Sequence, residues 1–188
     1  MTTSPAIETV GLTKHFGDVA AVEGLTLSVG PGEVFGFLGP NGAGKTTTIR
    51  CMLDLIRPTA GECRIVGLHA RHDAVEIRRH LGFLPSDLAL YPNLTGRQTL
   101  QFLANLRGGV DQAWVDTLAD RFAAELDRKV GELSSGNRQK VGLIQAFMNK
   151  PEVVVLDEPV TGLDPLVQVE FHALLREHVD AGNTVFLS

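Results

Sequence analysis

"GPNGAGKT", Gly39–Thr46, decides how the rest of this chain is read. It stands between an apolar run, "EVFGFL" (Glu33–Leu38), and a stretch with helical periodicity, "KTTTIRCMLDLI" (Lys45–Ile56). It therefore matches G-x-x-x-x-G-K-[ST] in the strand-to-helix setting that the motif's mechanism requires. Glycines let the backbone bend around a phosphate chain with its N–H groups pointing inward, and the helix N-terminus adds a partial positive charge. The expected cradle is Gly39, Pro40, Asn41, Gly42, Ala43, Gly44, Lys45, Thr46 and Thr47, with Lys45 reaching the β- and γ-phosphates and the Thr46 hydroxyl ligating Mg²⁺. A glycine-rich turn beside a surface lysine is the bland alternative, and it does not account for the full spacing in this context.

A second element points the same way. "VVVLDE", Val153–Glu158, reads as a buried strand that ends in two carboxylates, and in an open α/β sheet ligands bind at the C-terminal ends of the strands. Adjacent carboxylates there are costly without a cation or partner. Asp157 is expected to hold Mg²⁺ through water and Glu158 to polarise the attacking water.

Outward from these two sites the chain alternates strands and helices. "AIETVGL" and "VAAVEGLTLSV" read as N-terminal strands, and Pro31-Gly32 makes a tight turn before the next. The first helix is expected to run from Lys45 to Ile56 and stop before Pro58. Between Tyr91 and Lys150 the pattern is almost wholly helical: Thr95 and Gln98 form a capping box, Asp111 caps "QAWVDTLADRFAAEL", and Ser134–Asn149 is a third helix. The closing unit is a helix capped at Asp164 with Pro165 at its first position, stopped at Gly182, then a strand, "TVFLS". The expected fold class is α/β, a P-loop nucleoside triphosphatase with a mostly parallel sheet, an N-terminal antiparallel part and an inserted helical subdomain. Residues 1–90 and 150–188 would form the core and 91–149 the helical lobe of one domain.

Composition limits the alternatives. The net charge of −5 over 188 residues argues against a general nucleic-acid grip. No apolar run approaches the ~20 residues that span a bilayer, and "MTTSPAIETV" has no secretory leader pattern, which predicts a cytosolic chain. Cys51 and Cys63 lack metal-ligand spacing and read as core thiols.

"LSSGNRQK", Leu133–Lys140, just upstream of "VVVLDEPVTGLD", resembles the L-S-G-G-Q signature of ABC ATPases. The linear order is similar over the whole chain: an aromatic near the start, the phosphate loop, a helical lobe, the signature, then the LDEP and GLD runs. The resemblance implies an ATP-hydrolysing subunit of an ABC transporter, using ATP and Mg²⁺, working as a head-to-tail homodimer and peripheral on the inner face of the membrane, where it docks on a separate permease. It would not bind nucleic acid. Ser134, Ser135 and Gly136 would then form a second anion site that clasps ATP held by the partner copy. Asp164 would lie in a loop contacting that copy, and Phe16, in "KHFG", would stack on adenine, although a lone Phe after a strand is also a common core residue.

The departures from the family carry expectations of their own. After "LGFLP" the family places a glutamine near the metal and the attacking water; here stand Ser86 and Asp87. Asp87 is a candidate metal ligand, or else a solvated loop charge. In the signature Ser135 replaces glycine and Asn137 replaces glutamine. The family's switch histidine would follow the strand at "TVFLS", and the chain ends first. This implies a C-terminally truncated fragment whose last strand lies inside the sheet, with an unpaired edge left by the missing part. "LGFLPSDLALYPNLTG" and "SSGNRQKVGL" are more similar to exporter-type subunits. Two other readings remain open from sequence: a module that binds ATP without turnover, and a soluble ABC ATPase outside transport.

Overall fold

The computed structural model describes residues 4–188. The first three residues of the 1–90 segment, and of the N-terminal stretch read for a leader, lie outside the described residues. Two sheets organise the chain. In the first, β1 (Ile7–Phe16) pairs antiparallel with β2 (Val19–Val29) on one side and β4 (Ala60–Ile65) on the other, and the two-residue β5 (Leu68–His69) completes the order β2-β1-β4-β5. The second sheet is parallel, with the order β3-β8-β7-β6 for β3 (Val34–Gly36), β8 (Thr184–Leu187), β7 (Val153–Leu156) and β6 (Leu81–Leu84).

Parallel strands covered on both faces read as continuous apolar runs, and all four residues of β7 are buried. The pleat divides them. Val154, Leu156 and Val185 face a core shared with α3 (Gly96–Leu106), α4 (Gln112–Arg121), α5 (Ser135–Phe147) and α6 (Pro165–Asp180). Val153, Val155 and Phe186 face a second core built with α1 (Lys45–Met52), α2 (Ala74–His80) and the antiparallel sheet. Each such side chain contributes about 1.5–3 kcal/mol on burial. The strand β8 is interior, so the free edges of the parallel sheet are β3 and β6.

The helix starts follow local chemistry. Gln98 N–H donates to Thr95 Oγ1 at 3.1 Å while Thr95 N–H donates to Gln98 Oε1 at 2.9 Å, closing the capping box of α3. Asp111, Ser134 and Asp164 accept from the N–H groups of Trp114, Asn137 and Val167 to cap α4, α5 and α6. Helix ends differ from expectation. Helix α1 stops at Met52 and not at Ile56, because Asp54 turns into the left-handed region (φ 51°); Pro58 constrains only its immediate predecessor. Helix α4 ends at Arg121, short of Leu126, where Ala123 does the same (φ 46°).

His178 on α6 is buried, its ring edge-on to Phe147 at 5.4 Å, and its Nε2 has no hydrogen-bond partner. Burial pushes its pKa down to about 4 from 6.5. The folded state therefore disfavours the proton that the unfolded chain accepts. The contribution of this group is fully present above pH ~6.5, is lost as the pH drops towards 4, and amounts to about 3 kcal/mol at most. Chemical denaturation at pH 7.5 and pH 5 should show this slope, and His178→Phe should flatten it.

Candidate functional site

The phosphate loop joins β3 to α1. Gly44 stands at the N-cap of α1 with no side-chain cap, so the N–H groups of Lys45, Thr46 and Thr47 have no partner within the helix. They are free to meet an anion. Gly44 adopts φ 83°, and a Cβ there would sit 2.2 Å from the carbonyl oxygen of Ala21 on β2. Only glycine fits, and β2 is thereby pressed against the loop. Lys45 Nζ reaches back across the loop to the carbonyls of Gly39 (2.7 Å) and Pro40 (3.0 Å). It thus lies over the space that the N–H groups surround. Asn41, Gly42, Gly44, Lys45, Thr46 and Thr47 line a cleft of about 250 Å³ with Ala21 and Glu158. Gly39, Pro40 and Ala43 complete the loop outside that lining.

Asp157 follows β7 and is 2 % exposed. Its two oxygens are both engaged: Ser188 Oγ donates to Oδ1 at 2.7 Å and Ser86 Oγ to Oδ2 at 3.0 Å. Glu158, the next residue, is exposed, faces the cleft and has a left-handed backbone (φ 53°). Strain of about 1–3 kcal/mol at such a residue persists only where its surroundings hold it. Here Glu158 N–H donates to Ser188 Oγ at 3.2 Å and Gln139 Nε2 donates to the carbonyl of Pro159 at 3.1 Å.

Asp87, the candidate metal ligand, pairs with an arginine. Its carboxylate takes a hydrogen bond from Arg50 of α1 at 2.8 Å and is largely exposed. Ser86, not Asp87, is the residue after β6 that reaches Asp157. Among the described residues no group of three or more His, Cys, Asp or Glu side chains could hold a metal. The donor set present, the Thr46 hydroxyl and the Asp157 carboxylate, consists of hard oxygens. It suits Mg²⁺, which keeps waters and substrate phosphates and needs no all-protein cage.

Ser134 and Ser135 are exposed at the N-terminus of α5, and neither they nor Gly136 line the phosphate cleft of this chain. Ser134 is occupied as the α5 cap. A Cβ on Gly136 would meet the carbonyl oxygen of Gly162 at 2.6 Å, so the start of α5 packs directly on the GLD turn. Lys140 lies 3.7 Å from Asp164, whose pKa is lowered first by the Val167 N–H and then by Lys140. Asn137 turns inward: it accepts from Glu125 N–H at 2.8 Å and donates to Glu125 C=O at 2.9 Å. Phe16 ends β1 half-exposed, which excludes the core role, and Lys14 Nζ sits 4.9 Å from its ring centroid. Sequence reading missed Ser188, Gln139 and Gly162. Only Gly162, inside GLD, carried a local signal.

Comparisons with known proteins identify the family. The family model described as "ABC transporter" matches residues 22–161. A probable multidrug ABC transporter ATP-binding protein of Escherichia coli (strain K12) is 36% identical over 187 residues, covering 97% of this chain and 32% of that protein. A bacitracin transport ATP-binding protein of Enterococcus faecalis is 38% identical over 185 residues, covering 97% and 60%. The chain thus spans between a third and three fifths of the length of these relatives. A solved ATP-binding subunit of an ABC transporter superposes with a TM-score of 0.85 at 28% identity, over 97% of this chain and 79% of that one. The family match over residues 22–161, together with these relatives and this fold, makes the chain an ATP-binding domain of the ABC transporter family.

Proposed function

We propose that the chain binds ATP with Mg²⁺ and hydrolyses it as the motor part of a transporter. The observation that carries this reading is the cleft in which free N–H groups of Lys45, Thr46 and Thr47 face the Glu158 carboxylate. The loop N–H groups and Lys45 hold the triphosphate and Phe16 stacks on the base. Glu158 takes a proton from the attacking water. The Thr46 hydroxyl and, through water, the Asp157 carboxylate would hold Mg²⁺, which would supply neutralisation of the phosphate charge. Isothermal titration with ATP and a phosphate-release assay, each with Mg²⁺ and with EDTA, test it. Micromolar Mg²⁺-dependent binding and release support it; a folded chain that binds ATP and releases no phosphate reduces the reading to a binding module.

The signature lies outside its own phosphate cleft, so a second copy is needed to bring Ser134, Ser135 and Gly136 to the γ-phosphate in a head-to-tail dimer. A solved cassette of this fold, 24% identical, is itself dimeric in a post-hydrolysis state with ADP and phosphate. Names such as bacitracin transport and daunorubicin resistance among the relatives support an exporter. No described helix is long and apolar enough to cross a membrane. The transport names of the relatives favour a permease partner that carries the cargo, with this chain at its cytoplasmic side. Residues 91–149 act as the lobe that carries the signature. Between that lobe and the core runs an apolar groove lined by Leu55, Ile77, Phe83, Leu103, Leu106 and Met148, with Arg78 and Arg107 alongside. We assign the groove to the permease. Leu106→Asp should leave ATP affinity unchanged and remove the protein from the membrane fraction of cells on sedimentation.

A further inference from the structure

We propose that Ser86 and Ser188 are positioning residues that aim Asp157 at the Mg²⁺ site and hold Glu158 in its working backbone conformation. The inference rests on the roles given above to those two carboxylates and adds the pair of side chains that fixes them.

The strand order makes the arrangement possible. β7 lies between β6 and β8, so the residue beyond β7 is flanked by whatever follows its two neighbours. Ser188 directly follows β8 and Ser86 comes two residues after β6. Each gives its one hydroxyl proton to a different oxygen of Asp157, at 2.7 and 3.0 Å. The carboxylate is thereby fixed in rotation at a place where it is almost wholly buried. Because a carboxylate oxygen has more than one acceptor site, both oxygens keep capacity towards a metal-bound water.

The two hydroxyls differ in what they have left. Ser188 Oγ also accepts from Glu158 N–H at 3.2 Å, so one atom ties the orientation of Asp157 to the left-handed backbone of Glu158. Ser86 Oγ has no second protein partner among the described residues, and its lone pairs are free for water. Ser86 therefore bears on metal affinity and Ser188 on the placement of the base.

Outer partners of metal-holding carboxylates are worth about 10–100-fold in metal affinity or activity. In the chain with ATP, Ser86→Ala should raise the Mg²⁺ concentration that half-saturates ATP binding about 10-fold, with ATP affinity in EDTA unchanged. Ser188→Ala should lower kcat about 10–100-fold with KM moved less than about 2-fold, and Ser188→Thr, which keeps the hydroxyl, should restore most of it. Three results overturn the proposal: an unchanged Mg²⁺ requirement in Ser86→Ala, an unchanged kcat in Ser188→Ala, or a Ser188→Thr variant no better than Ser188→Ala. Should Ser188→Ala fail to fold, Ser86→Ala and Ser188→Thr decide it alone. An unsubstituted chain that shows no Mg²⁺-dependent binding or turnover sinks the functional reading itself, and the roles of Ser86 and Ser188 with it.

Discussion

Glu158→Gln should bind ATP as tightly as the unsubstituted chain and lose turnover by about 10²–10⁴-fold, the range for removing a positioned general base. The amide keeps the size of the side chain and the backbone bonds that hold residue 158, namely Glu158 N–H to Ser188 and Gln139 to the carbonyls of residues 158 and 159. The phosphate loop is untouched. What disappears is the capacity to accept a proton from water. With hydrolysis blocked, ATP should also accumulate a dimer, because each nucleotide would stay between the phosphate loop of one copy and Ser134–Gly136 of the other. Single-turnover phosphate release gives the first result and light scattering with ATP the second. Retained turnover would remove Glu158 from the chemistry.

Gly44→Ala should reduce ATP affinity more than 10-fold while the two hydrophobic cores stay intact. The reason is local. The new Cβ would lie 2.2 Å from the Ala21 carbonyl in a backbone already at φ 83°, so either β2 or the loop must move. Moving the loop misdirects the N–H groups of Lys45, Thr46 and Thr47, and each hydrogen bond to a charged oxygen is worth about 1.5–3 kcal/mol. One lost bond of that strength already exceeds a tenfold change. Fluorescence titration with a labelled ATP analogue measures it, and unchanged affinity would mean that the cradle does not depend on this contact.

What could be read from the chain in advance is what is local in it. The strand-loop-helix unit around Lys45 is contiguous, as are the Asp157-Glu158 pair and the caps at Thr95, Asp111, Ser134 and Asp164, and each depends on neighbours three or four residues away. The contacts that set the site's geometry are not local. Ser188 meets Asp157 from 31 residues away and Ser86 from 71, and nothing in either serine's flanking sequence specifies that meeting. Strand order decides it. The same holds for Asp87, whose carboxylate meets Arg50 from a helix 37 residues back. Asn137 could be noticed as a departure from the signature, but its pairing with the backbone of Glu125 depends on how the loop after α4 folds back. The ends of α1 and α4 were unreadable for another reason: Asp54 and Ala123 take positive φ values that side-chain type alone does not demand.

The central claim is that the amides around Lys45 grasp a triphosphate. Isothermal titration calorimetry of ATP and of adenosine into the purified chain, with Mg²⁺ at pH 7.5, tests it most directly. The account predicts saturable one-to-one binding of ATP, at least 100-fold weaker binding of adenosine, and loss of the difference in Lys45→Ala, since charge-assisted contacts to phosphate supply most of the affinity. A cooperatively folded chain that binds ATP no better than adenosine would contradict it.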